Sequence, residues 1–133
     1  MSIVAIRAAL EVALNAMSPA LSTAWENVAF APVPGTPYQE VSAEGAEPEN
    51  PEWGSRHNEV GELLIELKYP LGVGTATIAA RAELIRTTFY RGASFTSGGV
   101  TVLVVGTAHV RVGRAEGDRF VIPVAIPFSA QIQ

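Results

Sequence analysis

Glu59-Val60-Gly61-Glu62-Leu63-Leu64-Ile65-Glu66-Leu67-Lys68-Tyr69 decides the fold class. Leu63, Ile65, Leu67 and Tyr69 take the odd positions, while Glu62, Glu66 and Lys68 take even ones; only Val60 and Leu64 break the alternation. A period of two over this length is a β-strand with one buried and one wet face, and the buried face requires something to cover it. The next segment supplies a cover. Pro70-Leu71-Gly72-Val73-Gly74 turns the chain, and from Gly74 or Thr75 the period lengthens, placing Ile78, Ala82, Ile85 and Phe89 on one helical side. Arg81, Arg86 and Arg91 are then expected to form a basic outer surface.

Toward the N-terminus, Ser2 to Met17 repeats Ile3, Ile6, Leu10, Ala13 and Met17 at helical spacing, opposite Arg7, Glu11 and Asn15. It reads as an amphipathic surface helix with Ser2 as its N-cap and Ser18-Pro19 as its end. Trp25 to Phe30 reads as a strand, Pro32 to Pro37 as a rigid loop, and Tyr38 to Ser42 as a second strand. Glu44 to Asn58, broken by Gly45, Pro48, Pro51 and Gly54, is a long exposed acidic loop, expected to be mobile in the free subunit. After Gly92 come strands over Val100 to Val105 and Ala108 to Arg114, a turn at Glu116-Gly117-Asp118, and a final strand from Arg119 to Gln131. The last two form a hairpin. Pro123 and Pro127 within it argue for an edge position, because proline has no N–H to give a neighbouring strand. The expected fold is α+β: a mixed, mainly antiparallel sheet with two helices packed on one face, a long proline-rich loop and a C-terminal β-hairpin. With 133 residues and 48% hydrophobic content the chain is expected to form one domain, residues 1–133.

Composition narrows the function. A net charge of −4 gives no positive field for a nucleic-acid backbone or an anionic membrane. No cysteine is present, so disulfides and thiolate chemistry are excluded. The N-terminus lacks the layout of a signal peptide, and no apolar run approaches the roughly 20 residues of a membrane helix. His57 and His109 lack metal-ligand spacing, so no metal is expected. No nucleophile elbow, phosphate-cradling glycine loop or convergent carboxylate pair is found, so neither catalytic residues nor a cofactor is expected and the chain reads as a non-enzyme. The loop around Glu47, Glu49, Asn50, Trp53 and Arg56 stands out, because an aromatic in a polar, proline-stiffened loop fits an anchor for a partner surface.

Ala46-Glu47-Pro48-Glu49-Asn50-Pro51, Gly54 and Leu67-Lys68-Tyr69-Pro70-Leu71-Gly72-Val73-Gly74 resemble a family of phage tail terminator-like (tail completion) proteins of long flexible-tailed phages. The opening helix and Asn27-Val28-Ala29-Phe30 look similar in order and spacing. The chain departs at Ser42-Ala43-Glu44-Gly45, where the family tends to be apolar. The resemblance implies a structural virion protein of the tail, assembled in the bacterial host cytoplasm. It implies a ring, commonly a hexamer, on the head-proximal end of the tail tube, which stops tube growth and gives the head-joining surface. Its partners would be itself, the tail tube protein and a head-completion or neck protein. A head-tail connector or neck subunit, or a small non-enzymatic ligand-binding domain, are the alternatives. A head-to-tail ring needs two unlike surfaces. The acidic band from Glu40 through Glu52 to Glu66 and the basic residues Arg81, Arg86, Arg91, Arg111, Arg114 and Arg119 are the expected pair.

Overall fold

The computed structural model describes residues 2–17, 21–26, 28–50, 53–54, 56–72 and 74–132, without the side chains of residues 2 and 3. The expected end of the first helix at Ser18-Pro19 and the cap at the Ser2 side chain therefore lie outside the described residues. Its backbone of sheet is one long antiparallel pair. The alternating stretch becomes β3, His57–Pro70, and the C-terminal stretch becomes β8, Arg119–Ile132; they pair along their whole length, from His57 against Ile132 to Pro70 against Arg119. β2, Tyr38–Gly45, pairs antiparallel with the other side of β3, and β1, Ser22–Ala24, adds a parallel strand beyond it. On the far side of β8 lie β5, Val100–Val104, β6, His109–Val110, and β7, Arg114–Glu116, with β4, Ser94–Ser97, outside β5. The path of the sheet is β1-β2-β3-β8-β5-β4.

Leu63, Ile65 and Leu67 of β3 are buried, as are Ile122, Val124 and Ile126, which stand on the same face of β8. Two helices close this face. α1, Ser2–Asn15, packs against β4 and β5 through Ile6, Ala9, Leu10 and Leu14, and α2, Ala76–Thr88, covers β3 and β8 through Ile78, Ala82 and Ile85, with Phe89 just beyond it. The stripe expected for α2 is the buried one. For α1, Ile6 and Leu10 are buried as expected, as is Met17 just beyond it, but Ala13 is only partly so, Ala9 and Leu14 are buried in addition, and the Ile3 side chain lies outside the described residues.

Four expectations are corrected. The final strand is central, not an edge. In an antiparallel ladder a residue's N–H and C=O face the same neighbour. The Pro127 carbonyl accepts from Val105 N at 3.1 Å and the Pro123 carbonyl from Arg111 N at 2.9 Å, so both donorless nitrogens face away from β3. The ladder to β3 stays whole, and the opposite side is cut into three short strands with breaks beside the prolines. At the first break a Cβ on Gly106 would lie 3.2 Å from the Pro127 ring.

Second, the described residues between Trp25 and Phe30 form no strand. The strand lies just before it, at β1, where Thr23 Oγ1 accepts from the Gln39 amide at 3.0 Å. Phe30 instead packs against Tyr38, with ring centroids 5.2 Å apart. Third, the loop expected over Glu44 to Asn58 is shorter, because β2 runs to Gly45 and β3 starts at His57, with Ala46 N donating to the Val60 carbonyl at 2.8 Å. Fourth, the strand expected over Ala108 to Arg114 is only β6 and the start of β7. The hairpin turn itself is tighter than expected: Gly117-Asp118 joins β7 to β8, with Gly117 at φ +61°, a conformation that favours glycine.

Candidate interaction surface

The face of the sheet away from the helices carries most of the charge. Tyr38 and Glu40 of β2 stand in register with Lys68 and Glu66 of β3. Two glutamates directly opposite one another on adjacent strands repel, so Glu40 and Glu66 need cations. Lys68 Nζ lies 3.0 Å from Glu40 and 3.8 Å from Glu116, while Arg114 lies 3.2 Å from Glu66 and 2.9 Å from Glu116. Arg111 stands 3.7 Å from Glu62. Part of the expected basic band, Arg111 and Arg114, therefore meets the expected acidic band inside one subunit, joined by Lys68. Burial pulls the Lys68 ammonium down, but hydrogen bonding and charge from Glu40, with Tyr38 and Glu116, leave its pKa raised. Lys68 is itself buried rather than wet, as period two alone had suggested. The Arg114 pKa is raised as well, first by the hydrogen bond to Glu116 and then, against desolvation, by Glu66.

Arg119 does a different job from the one expected. It is buried, stands 5.0 Å from the Tyr38 ring centroid, and donates to the carbonyls of Val33 (2.8 Å) and Thr36. Proline-rich Pro32 to Pro37 has few donors of its own, so its carbonyls are free to accept from this guanidinium, which pins the loop to the sheet. Nothing in the spacing pointed to Arg119 for this, since the partners lie more than eighty positions away.

Pinning the loop builds a cleft. The segment after β1 and the outer face of β2 enclose about 570 Å³ between Trp25, Phe30, Pro32 and Tyr38, with Glu40 and Glu66 also lining it. Val28 and Phe30 on its lip are exposed, as is Val33 nearby. Glu26, also in the lining, bonds Arg7 of α1 at 2.9 Å and the Ala43 amide at 3.2 Å, and the backbone bond first and Arg7 second hold its carboxyl below the ordinary range.

The sequence-selected contact residues separate into two groups. Glu47, Glu49, Asn50, Trp53 and Arg56 are all exposed on the β2–β3 connection. Glu49 forms a bridge with Asn58, closing the loop's base, Asn50 approaches the Pro48 carbonyl at 3.5 Å, and Trp53 is 100% exposed. Arg81 and Arg86 do not join them. Arg81, expected on the outer surface, is 6% exposed and lies beside Tyr69 under α2. Burial lowers its pKa, with Tyr69 opposing, and burial raises that of Tyr69. Five residues are not a whole number of helical turns, so Arg81 and Arg86 leave the helix in different directions. Arg86 reaches back to the sheet and donates twice to the Ala108 carbonyl, at 2.9 and 3.2 Å. Of the histidines, His57 lies 3.0 Å from Glu59 and His109 is exposed on β6. Among the described residues no group of three or more His, Asp or Glu side chains is placed to hold a metal ion.

Two solved structures share this architecture. One, whose name states no function, has a TM-score of 0.77 at 22% identity, covering 100% of this chain and 98% of its own. The other is a chain from the virion of a native gene transfer agent particle, with a TM-score of 0.72 at 16% identity, covering 98% of both chains. At these identities the likeness is one of fold. No curated protein matches. The sequence family described as phage tail terminator protein, a structural tail family and not an enzyme family, matches residues 5–128, and the chain belongs to that phage tail terminator family.

Proposed function

We propose that this protein closes the phage tail: copies of it form a ring, a hexamer, on the head-proximal end of the tail tube, stop tube polymerisation and give the surface to which the head joins. The family match over 5–128 carries the reading. Assembly takes place in the host cytoplasm, and the further partners are the tail tube protein and a head-completion or neck protein. The exposed β2–β3 connection supports contact-making as its mode of action. A fully exposed indole on a short connection whose base is closed by Glu49 and Asn58 is held out toward a partner, where aromatic side chains contribute most on burial.

Native mass spectrometry of the protein with and without its tail tube protein tests this, together with electron microscopy of tails made in its absence. A ring-sized species and tails of uncontrolled length are expected. A protein that stays monomeric with the tube present, or tails of normal length without it, would overturn the reading.

A further inference from the structure

Arg91 stands apart from the other described cations, which are engaged within the subunit. Among the described residues it has no hydrogen bond or ion pair and is exposed. Beside it Tyr90 is 59% exposed. The two form the turn that leaves α2, fixed to the end of β5 by the Gly92 amide on the Val104 carbonyl at 2.8 Å. They make an amphipathic projection: a flat aromatic next to a cation.

The cleft over β2 has the complementary character. Its lip is apolar and exposed at Val28 and Phe30, and its lining includes the in-register pair Glu40 and Glu66. Both glutamates use Oε2 for their ion pairs. Each keeps a second carboxylate oxygen, and a carboxylate accepts several donors. The Phe30 ring offers a face to a cation. Within one subunit the projection does not meet the cleft, because β3 and β8 lie between β2 and β5 in the sheet order. Two unlike, matching surfaces on opposite flanks of one subunit are what a head-to-tail contact requires.

We propose that the cleft receives Tyr90 and Arg91 of a second copy of this chain, the arginine against Phe30 and the Glu40–Glu66 pair and the tyrosine on the apolar lip. This rests on the ring reading and names the contact that builds the ring. Because the chain has no cysteine, the contact is open to clean cross-linking. Ser94→Cys and Ala29→Cys, both at exposed positions close in sequence to the contact residues and leaving Tyr90, Arg91, Val28 and Phe30 in place, are combined in one chain, and each is also made alone, then treated with a short bis-maleimide. The double variant gives a covalent ladder ending at the ring, and a mixture of the two single variants gives covalent dimers. Arg91→Glu weakens assembly by about tenfold or more while Arg91→Lys retains it, since rim charges set partner choice. If the wild-type ring forms by native mass spectrometry but neither ladder nor mixed dimer appears, or Arg91→Glu assembles like wild type, this contact is wrong and the ring reading stands. If the wild type makes no ring, both fall.

Discussion

Arg114 reaches from β7 across β8 to place its guanidinium 3.2 Å from the Glu66 carboxylate of β3, in the same subunit. With Lys68 on Glu40 and Arg111 near Glu62, and with Glu116 shared between Lys68 and Arg114, three cations serve four carboxylates, so most but not all of the acid on the outer face is compensated within the subunit. Exposed pairs contribute little to stability and are screened by salt. Arg114→Gln is expected to lower the Tm only slightly and to leave assembly unchanged, measured by thermal melts and native mass spectrometry. Loss of the ring in this variant with the fold intact would place Arg114 in a subunit contact instead.

Arg81 behaves in the opposite way. It is buried beside Tyr69, and that burial disfavours a charged side chain, a carboxylate included. Arg81→Glu is expected to destabilise the subunit by about 3–5 kcal/mol, while Arg81→Met, close in volume and uncharged, folds. Urea titration separates them. Equal midpoints for Arg81→Glu and wild type would show that the side chain reaches water.

A Cβ built on Gly113 would lie 2.5 and 2.7 Å from ring atoms of Phe120 and 3.1 Å from Ile122. Neither neighbour can withdraw easily, since Ile122 is buried and Phe120 packs on the core. Gly113→Ala should cost about 1–3 kcal/mol by overpacking. A chemical melt reads this directly, and an unchanged midpoint would mean that the β6–β7 connection gives way freely.

Acid should loosen α1 from the sheet. Glu26 links Arg7 of the helix to the Ala43 amide of β2, and its pKa lies below the ordinary 4.5. A depressed carboxyl stabilises the fold in full above its unfolded value, and this is lost as pH falls through the folded value. Glu26→Gln should therefore melt only slightly below wild type at neutral pH, since the pair is solvent-exposed, with the gap closing as pH drops below about 4.5. A gap that stays constant with pH would assign the effect to shape rather than charge.

Trp53→Ala removes a side chain that touches nothing, so stability should change by no more than about 0.5 kcal/mol while ring or tail assembly is lost. In a Trp25→Phe background, Trp53 emission should shift to shorter wavelength on assembly. Emission that stays at the solvent-exposed wavelength in the assembled state would remove Trp53 from any interface.

Elements whose signal is local were legible in the sequence. The alternation of Leu63, Ile65, Leu67 and Tyr69 and the helical stripe of Ile78, Ala82, Ile85 and Phe89 each follow from the geometry of one element, and all eight residues are buried. A connection within Glu44 to Asn58 was legible too, because prolines and glycines act on their own backbone, but its ends were not, since both strands run into the expected loop. The edge placement inferred from Pro123 and Pro127 failed for a related reason: a missing donor tells that one side of a strand is interrupted, not which side or how the neighbour responds.

The destination of the charges was settled by tertiary structure alone. Glu66 and Arg114, Glu62 and Arg111, and Arg119 with the Val33 carbonyl are each brought together from distant parts of the chain. Strand order sets which of them meet, and strand order is fixed by the burial of one shared apolar face, a property of the whole sheet that no single segment contains. Arg81 and Arg86 show the same limit at short range. Their sequence spacing is that of surface helix residues, yet the sheet beneath α2 buries one and offers the Ala108 carbonyl to the other.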